Sequence, residues 1–297
     1  MDILITGASG FVGQNLVAFF KEKKIKTSEV SLRNEKLFSI APNTTAVVHL
    51  AGKAHDLKKV SNEAAYFEVN TELTKQVYEQ FCNSNADTFV YMSSVKAVAD
   101  NPTSIVDEST LATLITPYGK SKLAAEQYLL RNHKVGTRLY ILRPCMIHGP
   151  NNKGNLNLLY QLVQKGIPYP LGSFSNQRSY LSVDNLCFII NELIQRTDIT
   201  SGIYTLADDG EVSTTDLVRL IGESLGKKAT ILSPPVCIIN FIAKIGDKLN
   251  LPLNTERLQK MTENYVVSNE KINAAIGKVL PMSNKEGLLK TFNSFKN

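Results

Sequence analysis

The feature that most constrains the fold is a glycine-rich turn near the start of the chain. The sequence TGASGFVG places Gly7, Gly10 and Gly13 between the apolar run DILITG and the amphipathic pattern FVGQNLVAFFKEKK. The first glycine permits a tight turn, the second lets a pyrophosphate approach the backbone, and the third allows the following helix to pack close to the sheet. The free N–H groups of that helix attract anions. Because another strand pattern follows, the loop predicts a dinucleotide-binding βαβ unit.

Short β-rich runs alternate with longer helical patterns through the first half of the chain. We expect strands at KTSEVSL, TAVVHLAG, TFVYMSS and TRLYILRP, and helices over Ala64–Asn83 and from Pro117 onward. Continuous apolar strands separated by helices are typical of a parallel sheet covered on both faces. The sequence therefore predicts an α/β fold with a Rossmann-type, doubly wound parallel sheet.

The alternation ends near Pro150, where loops rich in glycine, asparagine and proline begin. We expect a NAD(P)-binding domain over 1–150 and a smaller, mainly substrate-binding lobe over 151–297. A strand near Gly202–Ala207, in the region 180–207, is expected to return to the main sheet.

Composition and charge limit the class of partner. A hydrophobic content of 43% and a charged content of 20% are typical of a soluble globular chain. No apolar run reaches the roughly 18 residues of a membrane span. The chain starts directly on a strand pattern and its 4 cysteines form no CxxC pair, so we expect a cytoplasmic location and no metal site. The net charge of +6 suits an anionic substrate, but it is too diffuse to indicate nucleic-acid binding.

The end of the second strand bears on which dinucleotide binds. NAD-binding domains usually carry an acidic residue about 20 positions after the loop, where it bonds the ribose 2′-OH. Here Ser31 and Leu32 stand at that place, Glu29 lies too early, and Arg33 follows. Because no carboxylate repels a 2′-phosphate and Arg33 can pair with it, NADP(H) is favoured and NAD(H) is the alternative. Arg33 can instead be exposed or stacked on adenine.

The stretch TPYGKSKLAAEQYL combines helix-start signals with an acid–base pair. Thr116 can cap the helix and Pro117 suits its first turn. Tyr118 and Lys122 stand at i and i+4, so they share a face. A free tyrosine has a pKa near about 10, and an adjacent positive charge lowers it. Tyr118 is therefore a candidate acid–base group, although such a pair taken alone is typical of an ordinary helix surface.

The run VYMSSVK supplies a third polar group. It places Ser94 at the carboxyl edge of the sheet, where open α/β sheets bind ligands. The Ser94 hydroxyl can hydrogen-bond the substrate oxygen that Tyr118 protonates or deprotonates. Ser94, Tyr118 and Lys122, in this order after a glycine loop, together indicate an enzyme.

With these motifs in place, the chain resembles the extended short-chain dehydrogenase/reductase family of NAD(P)-dependent nucleotide-sugar epimerases, dehydratases and ketoreductases. TGASGFVG, VVHLAG, VNTEL, FVYMSS, PYGKSKLAAEQ, LRPCMIHGP and RSYLSVDNL follow one another in the family's order. The resemblance implies a catalytic set of Ser94, Tyr118 and Lys122. It implies a cofactor site formed by Gly7, Ser9, Gly10, Phe11, Val12, Gly13, Arg33, Leu50, Ala51, Gly52, Asn70, Lys122, Pro144 and Cys145. It implies a substrate site formed by Ser94, Lys96, Met146, Asn155 and Arg178, of which the last two would hold a diphosphate.

Two departures separate the chain from UDP-galactose 4-epimerases. Those enzymes have an asparagine in the segment that reads RPCMIHG here, and Met146 lies closest to its position. They also carry a second diphosphate-binding arginine late in the chain, and only Arg257 is available for that role here. The pattern SSVKAV…KGNLNLL…NQRSYLSVDN is closer to enzymes of bacterial polysaccharide assembly. These include reductases of UDP-4-keto-6-deoxy-N-acetylhexosamines and 4-epimerases of N-acetylhexosamines, some of which act on lipid-linked sugars.

The resemblance implies a NAD(P)-dependent epimerase or ketoreductase acting at C4 of a nucleotide-diphosphate sugar, with a UDP-N-acetylhexosamine preferred. The alternatives are a 4-epimerase of a polyprenyl-diphosphate-linked sugar and a non-catalytic NAD(P)-binding sensor. Dehydration is disfavoured because Val95-Lys96-Ala97 stands where a carboxylate pair is expected. The helices at Ala64–Asn83 and Pro117–His133 imply a homodimer, since they often form the family's dimer interface.

One amphipathic stretch leaves two interpretations open. PPVCIINFIAKIGDKLNL, Pro234–Leu251, predicts a helix rich in isoleucine with Lys244 and Lys248 on it. Packing within the lobe is favoured. Contact with a membrane surface, which would help the enzyme reach a polyprenyl-linked substrate, is the alternative.

Overall fold

A computed structural model describes residues 1–32, 38–53, 62–152, 154–249 and 254–296 of the chain. Its strands are β1 (Asp2–Thr6), β2 (Lys26–Val30), β3 (Ala46–His49), β4 (Thr88–Met92), β5 (Arg138–Pro144), β6 (Met146–His148), β7 (Tyr180–Ser182) and β8 (Gly202–Leu206). Six of them form one parallel sheet in the order β2-β1-β3-β4-β5-β8, and β6 and β7 form a separate parallel pair. The predicted α/β fold class is confirmed.

Helices surround this sheet. They are α1 (Phe11–Glu22), α2 (Glu63–Phe67), α3 (Leu73–Cys82), α4 (Pro117–Arg131), α5 (Asn155–Gln164), α6 (Val183–Gln195), α7 (Thr214–Ser224), α8 (Val236–Leu249), α9 (Thr255–Thr262), α10 (Glu270–Ile276) and α11 (Asn284–Ser294). A π-helical turn, Glu68–Glu72, joins α2 to α3, and a 3₁₀ turn, Val95–Ala97, follows β4. In the described part of the chain, no helix has both the length and the apolar character needed to cross a bilayer.

Alternate side chains of the central strands enter two different cores. Ile3, Ile5 and Val48 belong to the core that includes α1 and α6. Leu4 and Val47 belong to the core on the opposite face, which includes α3 and α4. This is the period-2 alternation of a sheet buried on both sides. Helices therefore close both faces and leave the carboxyl ends of the strands as the place for a ligand.

The second half of the chain contributes to two parts of the structure. The strand expected near Gly202–Ala207 is β8, and it pairs with β5 in the register Tyr140↔Gly202 to Pro144↔Leu206. A third hydrophobic core lies under α5, α7, α8, α9 and α11, and it contains Leu156, Tyr160, Leu217, Val218, Ile239, Ala243, Leu258, Leu288 and Phe292. This core stabilises a lobe beside the carboxyl edge of the main sheet.

Candidate active site

The glycine turn lies where the sheet changes direction. From β1 the chain moves first outward to β2 and then to β3 on the other side, and such a switch point forms a ligand crevice. Gly7 has a φ of +73°, and a Cβ there would lie 2.6 Å from the backbone nitrogen of Ala51. A Cβ on Gly13 would lie 2.3 Å from the Gly7 oxygen. Gly13 therefore lets α1 start directly against the turn. The sequence predicts instead that this glycine lets α1 pack close to the sheet.

The start of α1 is suited to an anion. Gly10 is its N-cap, and within the described part of the chain no side chain caps the N–H groups of the first turn. Ser9 is exposed, while Phe11 and Val12 are partly exposed beside the turn. Uncapped N–H groups at a helix start bind phosphates, and the glycines of the turn have no Cβ that would block the approach of a phosphate. These residues therefore fit the diphosphate of a dinucleotide.

The residues expected to select the dinucleotide are described only in part. Arg33 lies outside the described residues. β2 ends at Val30, and Ser31 and Leu32 follow it. Glu29 is exposed and pairs with Ile5, one position before the strand end. The described end of β2 therefore carries no carboxylate beyond Glu29.

A cavity of about 220 Å³ lies at the carboxyl ends of β3, β4 and β5. It is lined by Leu50, Gly52, Lys53, Met92, Ser93, Ser94, Tyr118, Lys122, Pro144, Cys145 and Ile147. The structure thus brings the three candidate catalytic residues together with several candidate cofactor residues. A wider cleft of about 440 Å³ lies at the amino edge of the sheet, near Met1 and Arg138, and contains none of the predicted site residues.

Ser94 and Tyr118 line the cavity together, and Ser94 lowers the pKa of the Tyr118 phenol by hydrogen bonding. Ser94 caps the 3₁₀ turn after β4, where its hydroxyl also accepts from the Lys96 N–H at 3.2 Å. Tyr118 stands in the first turn of α4, and its ring meets that of Tyr66 edge-on with centroids 6.2 Å apart. The predicted cap of α4 is confirmed, since the Thr116 hydroxyl accepts from the backbone of the first turn. Capping and ring packing together set the position of the phenol.

Lys122 is buried and has its own partner. Its Nζ donates to the Met92 carbonyl at 2.8 Å and lies 4.9 Å from the centroid of the Tyr91 ring. Burial lowers the pKa of Lys122 to about 8, and the nearby carboxylate of Glu126 opposes that shift. Since an ammonium group has three N–H donors, Lys122 can still donate into the cavity.

The expected effect of Lys122 on Tyr118 is not found. Among the described residues, burial raises the pKa of Tyr118, its hydrogen bond to Ser94 lowers it, and Tyr66 raises it slightly. Lys122 does not contribute, because with a pKa of about 8 it is already largely neutral in the higher pH range where Tyr118 titrates. The expectation that Lys122 lowers the pKa of Tyr118 was therefore wrong.

A buried polar network beside the cavity was not predicted from the sequence. Arg143 donates from Nη2 to Glu126 Oε2 at 2.6 Å and from Nε to Glu126 Oε1 at 3.1 Å. The Ser93 hydroxyl donates to the same carboxylate. Glu126 follows Lys122 at i+4, just as Lys122 follows Tyr118. That repeated spacing was the signal available, because it places all three on one face of α4.

Asn70 supports the site from the π-helical turn. It is fully buried; its Oδ1 accepts from the Lys53 N–H at 2.7 Å, and its Nδ2 donates to the Ser121 hydroxyl at 3.0 Å. A Cβ on Gly52 would lie 3.1 Å from Asn70 Oδ1 and 3.2 Å from Lys122 Nζ. Asn70 therefore ties the loop after β3 to α4.

Four candidate substrate residues lie outside the cavity lining. Met146, in β6, and Asn155, at the start of α5, are exposed. The Lys96 Nζ donates to the Asp100 carbonyl at 2.5 Å, and it lies 4.6 Å from the centroid of the Tyr265 ring.

Arg178, the fourth, is held by the end of α9. Its Nη2 donates to the Lys260 carbonyl at 2.5 Å and to Glu263 Oε1 at 3.1 Å. Arg178 and Lys260 each lower the pKa of Lys96, while Glu263 raises it, so these charges lie near one another. They form a group with both signs of charge outside the cavity.

Comparison with known proteins adds a family and several relatives. The model of the "NAD dependent epimerase/dehydratase family" matches residues 3–207. The chain is 29% identical to a "UDP-glucose 4-epimerase" of Vibrio cholerae, over 99% of this chain and 95% of that protein. It is 25% identical to an "N-acetyl-alpha-D-glucosaminyl-diphospho-ditrans,octacis-undecaprenol 4-epimerase" of Escherichia coli O157:H7, over 98% and 94%.

Solved structures share the fold. The chain superposes on MoeE5 in complex with UDP-glucose and NAD with a TM-score of 0.76 and 18% identity, over 100% of this chain and 99% of that one. It superposes on RMD from Pseudomonas aeruginosa complexed with NADPH with a TM-score of 0.75 and 19% identity, over 100% of both chains.

Proposed function

The chain belongs to the NAD dependent epimerase/dehydratase family, and on that premise we propose that it interconverts the two C4 configurations of a nucleotide-diphosphate sugar, with a UDP-N-acetylhexosamine as substrate. It is an enzyme of the extended short-chain dehydrogenase/reductase type. The observation that carries the proposal is the cavity that Ser94, Tyr118 and Lys122 line together. Relatives named as 4-epimerases that match almost the whole chain support it.

The proposed chemistry of the chain is proton exchange at the sugar O4. The phenolate form of Tyr118 takes the hydroxyl proton as the carbinol becomes a ketone, and the phenol that results returns this proton when the ketone is reduced. Ser94, already bonded to Tyr118, hydrogen-bonds the same oxygen. Because burial favours the neutral phenol, Tyr118 rests in its proton-donating form, and the phenolate has to form before a carbinol is oxidised.

The same proposal assigns the cofactor-binding residues. The turn from Gly7 to Gly13 and the start of α1 would hold the diphosphate, while Leu50–Gly52 and Lys122 would hold the nicotinamide ribose. Pro144 and Cys145 would form a wall beside the ring. The dinucleotide, when bound, supplies the hydride acceptor and donor.

NADP(H) is the proposed dinucleotide, and NAD(H) the alternative. The support is the end of β2, where Ser31 and Leu32 replace the usual carboxylate. Affinities of the purified chain for the two dinucleotides test this. Replacing Arg33 by aspartate should shift the affinity ratio toward NAD(H), and an unchanged ratio would remove Arg33 from the site.

A ketoreductase is the second candidate function, and the same β2 observation favours it, because an exchangeable NADPH suits one-way reduction. NMR of a UDP-N-acetylglucosamine solution, with catalytic dinucleotide and no added reductant, separates the two. We expect the galacto epimer to accumulate to an equilibrium mixture. Absence of the epimer, together with stoichiometric NADPH consumption on a UDP-4-keto-6-deoxy sugar, would establish the reductase instead.

A polyprenyl diphosphate in place of the nucleotide is the remaining alternative for the substrate. It is supported by the Escherichia coli relative, which is named for an undecaprenol-linked sugar.

We also propose a homodimer formed through the helical segment from α2 to α3 and through α4. A Tyr128–Glu79 hydrogen bond of 3.0 Å joins α4 to α3 within the chain. Sedimentation equilibrium tests the dimer.

A further inference from the structure

Helix α8 exposes an apolar stripe. Its residues Ile239, Ala243 and Gly246 are buried against the lobe. Besides Val236 at the first position of the helix, five large apolar side chains are exposed: Ile238 at 48%, Phe241 at 65%, Ile242 at 42%, Ile245 at 37% and Leu249 at 64%. The sequence predicts that α8 packs within the lobe. Among the described residues, only the face of α8 around Ile239 is packed in this way.

These five side chains form one continuous surface. With about 100° of rotation per residue, they fall in a single sector of about 100° on the helix. Lys244 and Lys248 follow Phe241 around the helix, on the border that points away from the buried face. Both lysines are exposed. The helix therefore presents an apolar stripe, defined by Ile238, Phe241, Ile242, Ile245 and Leu249, with positive charge along one edge.

The charge pattern indicates what covers this stripe. The acidic residue of α8, Asp247, is engaged elsewhere, since its carboxylate accepts from the Thr255 N–H at 3.0 Å and from the Thr255 hydroxyl at 2.5 Å. A second copy packed antiparallel across the stripe, about a two-fold axis perpendicular to α8, would bring Lys244 and Lys248 of both chains together, which costs free energy. Lipid phosphates would instead pair with these lysines.

We propose that α8 is a membrane-surface helix that binds an anionic bilayer. The apolar stripe lies among the upper acyl chains, and Lys244 and Lys248 contact lipid phosphates at the headgroup level. With 14 residues the helix lies in the interface and does not cross the bilayer. The net charge of +6 adds a general attraction to the same surface.

The location of α8 gives this surface a functional consequence, which rests on the polyprenyl-linked alternative of the proposed function. α8 packs on α9, and the end of α9 holds the guanidinium of Arg178 through Lys260 and Glu263. The family resemblance implies that Arg178, together with Asn155, holds the substrate diphosphate. The bilayer would therefore meet the lobe that binds the diphosphate, which is the arrangement a polyprenyl-linked sugar requires.

Vesicle flotation with the full chain tests the surface. The chain should float with phosphatidylglycerol–phosphatidylcholine vesicles at low salt and far less with pure phosphatidylcholine. The double variant Phe241→Ser/Ile245→Ser should lower the partition coefficient at least about tenfold, because two inserted side chains are lost. The matched control Val135→Ser/Val279→Ser changes exposed side chains elsewhere, at 96% and 89%, and should float like the unmodified chain.

The lysines give an independent measurement. Lys244→Gln/Lys248→Gln should lower partitioning by about fivefold for each charge, and only on anionic vesicles. No flotation of the unmodified chain at low salt would overturn the proposal, and so would equal flotation of all variants. A dimer that Phe241→Ser/Ile245→Ser dissociates, without any flotation, would assign the stripe to a second copy. Because flotation needs no turnover, failure of the epimerase proposal in the soluble UDP-sugar assay is distinguishable from failure of this one.

Discussion

Glu126 and Arg143 form a two-point ion pair inside the fold, with Nη2–Oε2 and Nε–Oε1 distances of 2.6 and 3.1 Å. Their side chains are 1% and 5% exposed. The pair joins α4 to β5, and α4 carries Tyr118 and Lys122 on the same face. Because removal of one partner leaves the other charge buried and unpaired, the pair holds α4 in place against the sheet.

Glu126→Gln should therefore lower the free energy of unfolding by about 3 kcal/mol, since it keeps the side-chain shape but removes the charge that pairs with Arg143. It should also lower the pKa of Lys122 further, because Glu126 now opposes the effect of burial. Urea unfolding measures the first effect. The matched control is Glu72→Gln, which breaks an exposed pair with Lys75 and should cost less than about 1 kcal/mol. Equal losses in the two variants would contradict this role of Glu126.

Tyr118→Phe should reduce turnover at least about 100-fold and leave dinucleotide affinity unchanged. The substitution removes only the transferable proton and keeps the ring that packs on Tyr66. Initial rates and a dinucleotide titration provide the two measurements. Tyr128→Phe removes a hydroxyl from the same helix, where it donates to Glu79, and should stay fully active. Turnover of Tyr118→Phe above a few per cent would move the acid–base role to another group.

Lys122→Met should change how stability depends on pH. The folded pKa of Lys122, about 8, lies below its unfolded value of 10.5, so the unfolded chain binds more protons between these values. The buried charge therefore costs stability below about pH 8, and the cost is relieved as the pH rises. Relative to the variant, the unmodified chain should gain about 2 kcal/mol between about pH 8 and about pH 9.5. Parallel urea curves at the two pH values would measure it, and a constant difference would mean that Lys122 titrates normally.

Arg178→Ala should raise the Michaelis constant for the sugar substrate at least about tenfold with little change in kcat, because a diphosphate loses a two-point cationic partner. Glu263→Gln is the control. It removes the carboxylate that Arg178 contacts at 3.1 Å but keeps the guanidinium. If Glu263→Gln raised the Michaelis constant as much as Arg178→Ala, the role of Arg178 would be to hold the end of α9 and not to bind the diphosphate.

Gly13→Ala should weaken dinucleotide binding at least about tenfold. A Cβ at that position would lie 2.3 Å from the Gly7 oxygen and 2.6 Å from the Ala8 Cα, so the turn has to open. Gly154→Ala, where the nearest atom is the Asn152 side-chain oxygen at 3.1 Å, should bind dinucleotide normally. Fluorescence titration with each dinucleotide gives the affinities. Tight binding by Gly13→Ala would show that the turn tolerates the displacement.

Local features of the fold could be predicted because neighbours along the chain create them. The turn at Gly7 follows from the backbone freedom of glycine, and the start of α4 follows from Thr116 and Pro117. The parallel sheet follows from apolar runs separated by helical patterns. The i, i+4 spacing of Tyr118 and Lys122 placed them on one face of α4. In the structure, both residues line the same cavity as Ser94. Their roles stay predictions.

Partners distant in the chain could not be predicted in this way. Lys122 bonds the Met92 carbonyl, and Glu126 meets Arg143 on another element. Arg178 meets Glu263, which lies 85 positions further along the chain. Each pair forms only when separate strands and helices pack side by side, and sequence spacing carries no record of that approach.

The sequence by itself determined the parallel α/β architecture, the glycine turn and the set of polar groups at the carboxyl edge, because backbone freedom and periodicity act over a few residues. Only the tertiary structure decided the pKa values of Tyr118 and Lys122, since burial shifts both and the contacts with Ser94 and Glu126, respectively, oppose those shifts. Only the tertiary structure decided that Phe241 and Leu249 of α8 face outward, because exposure depends on whether another element covers a face and not on the pattern of the helix itself.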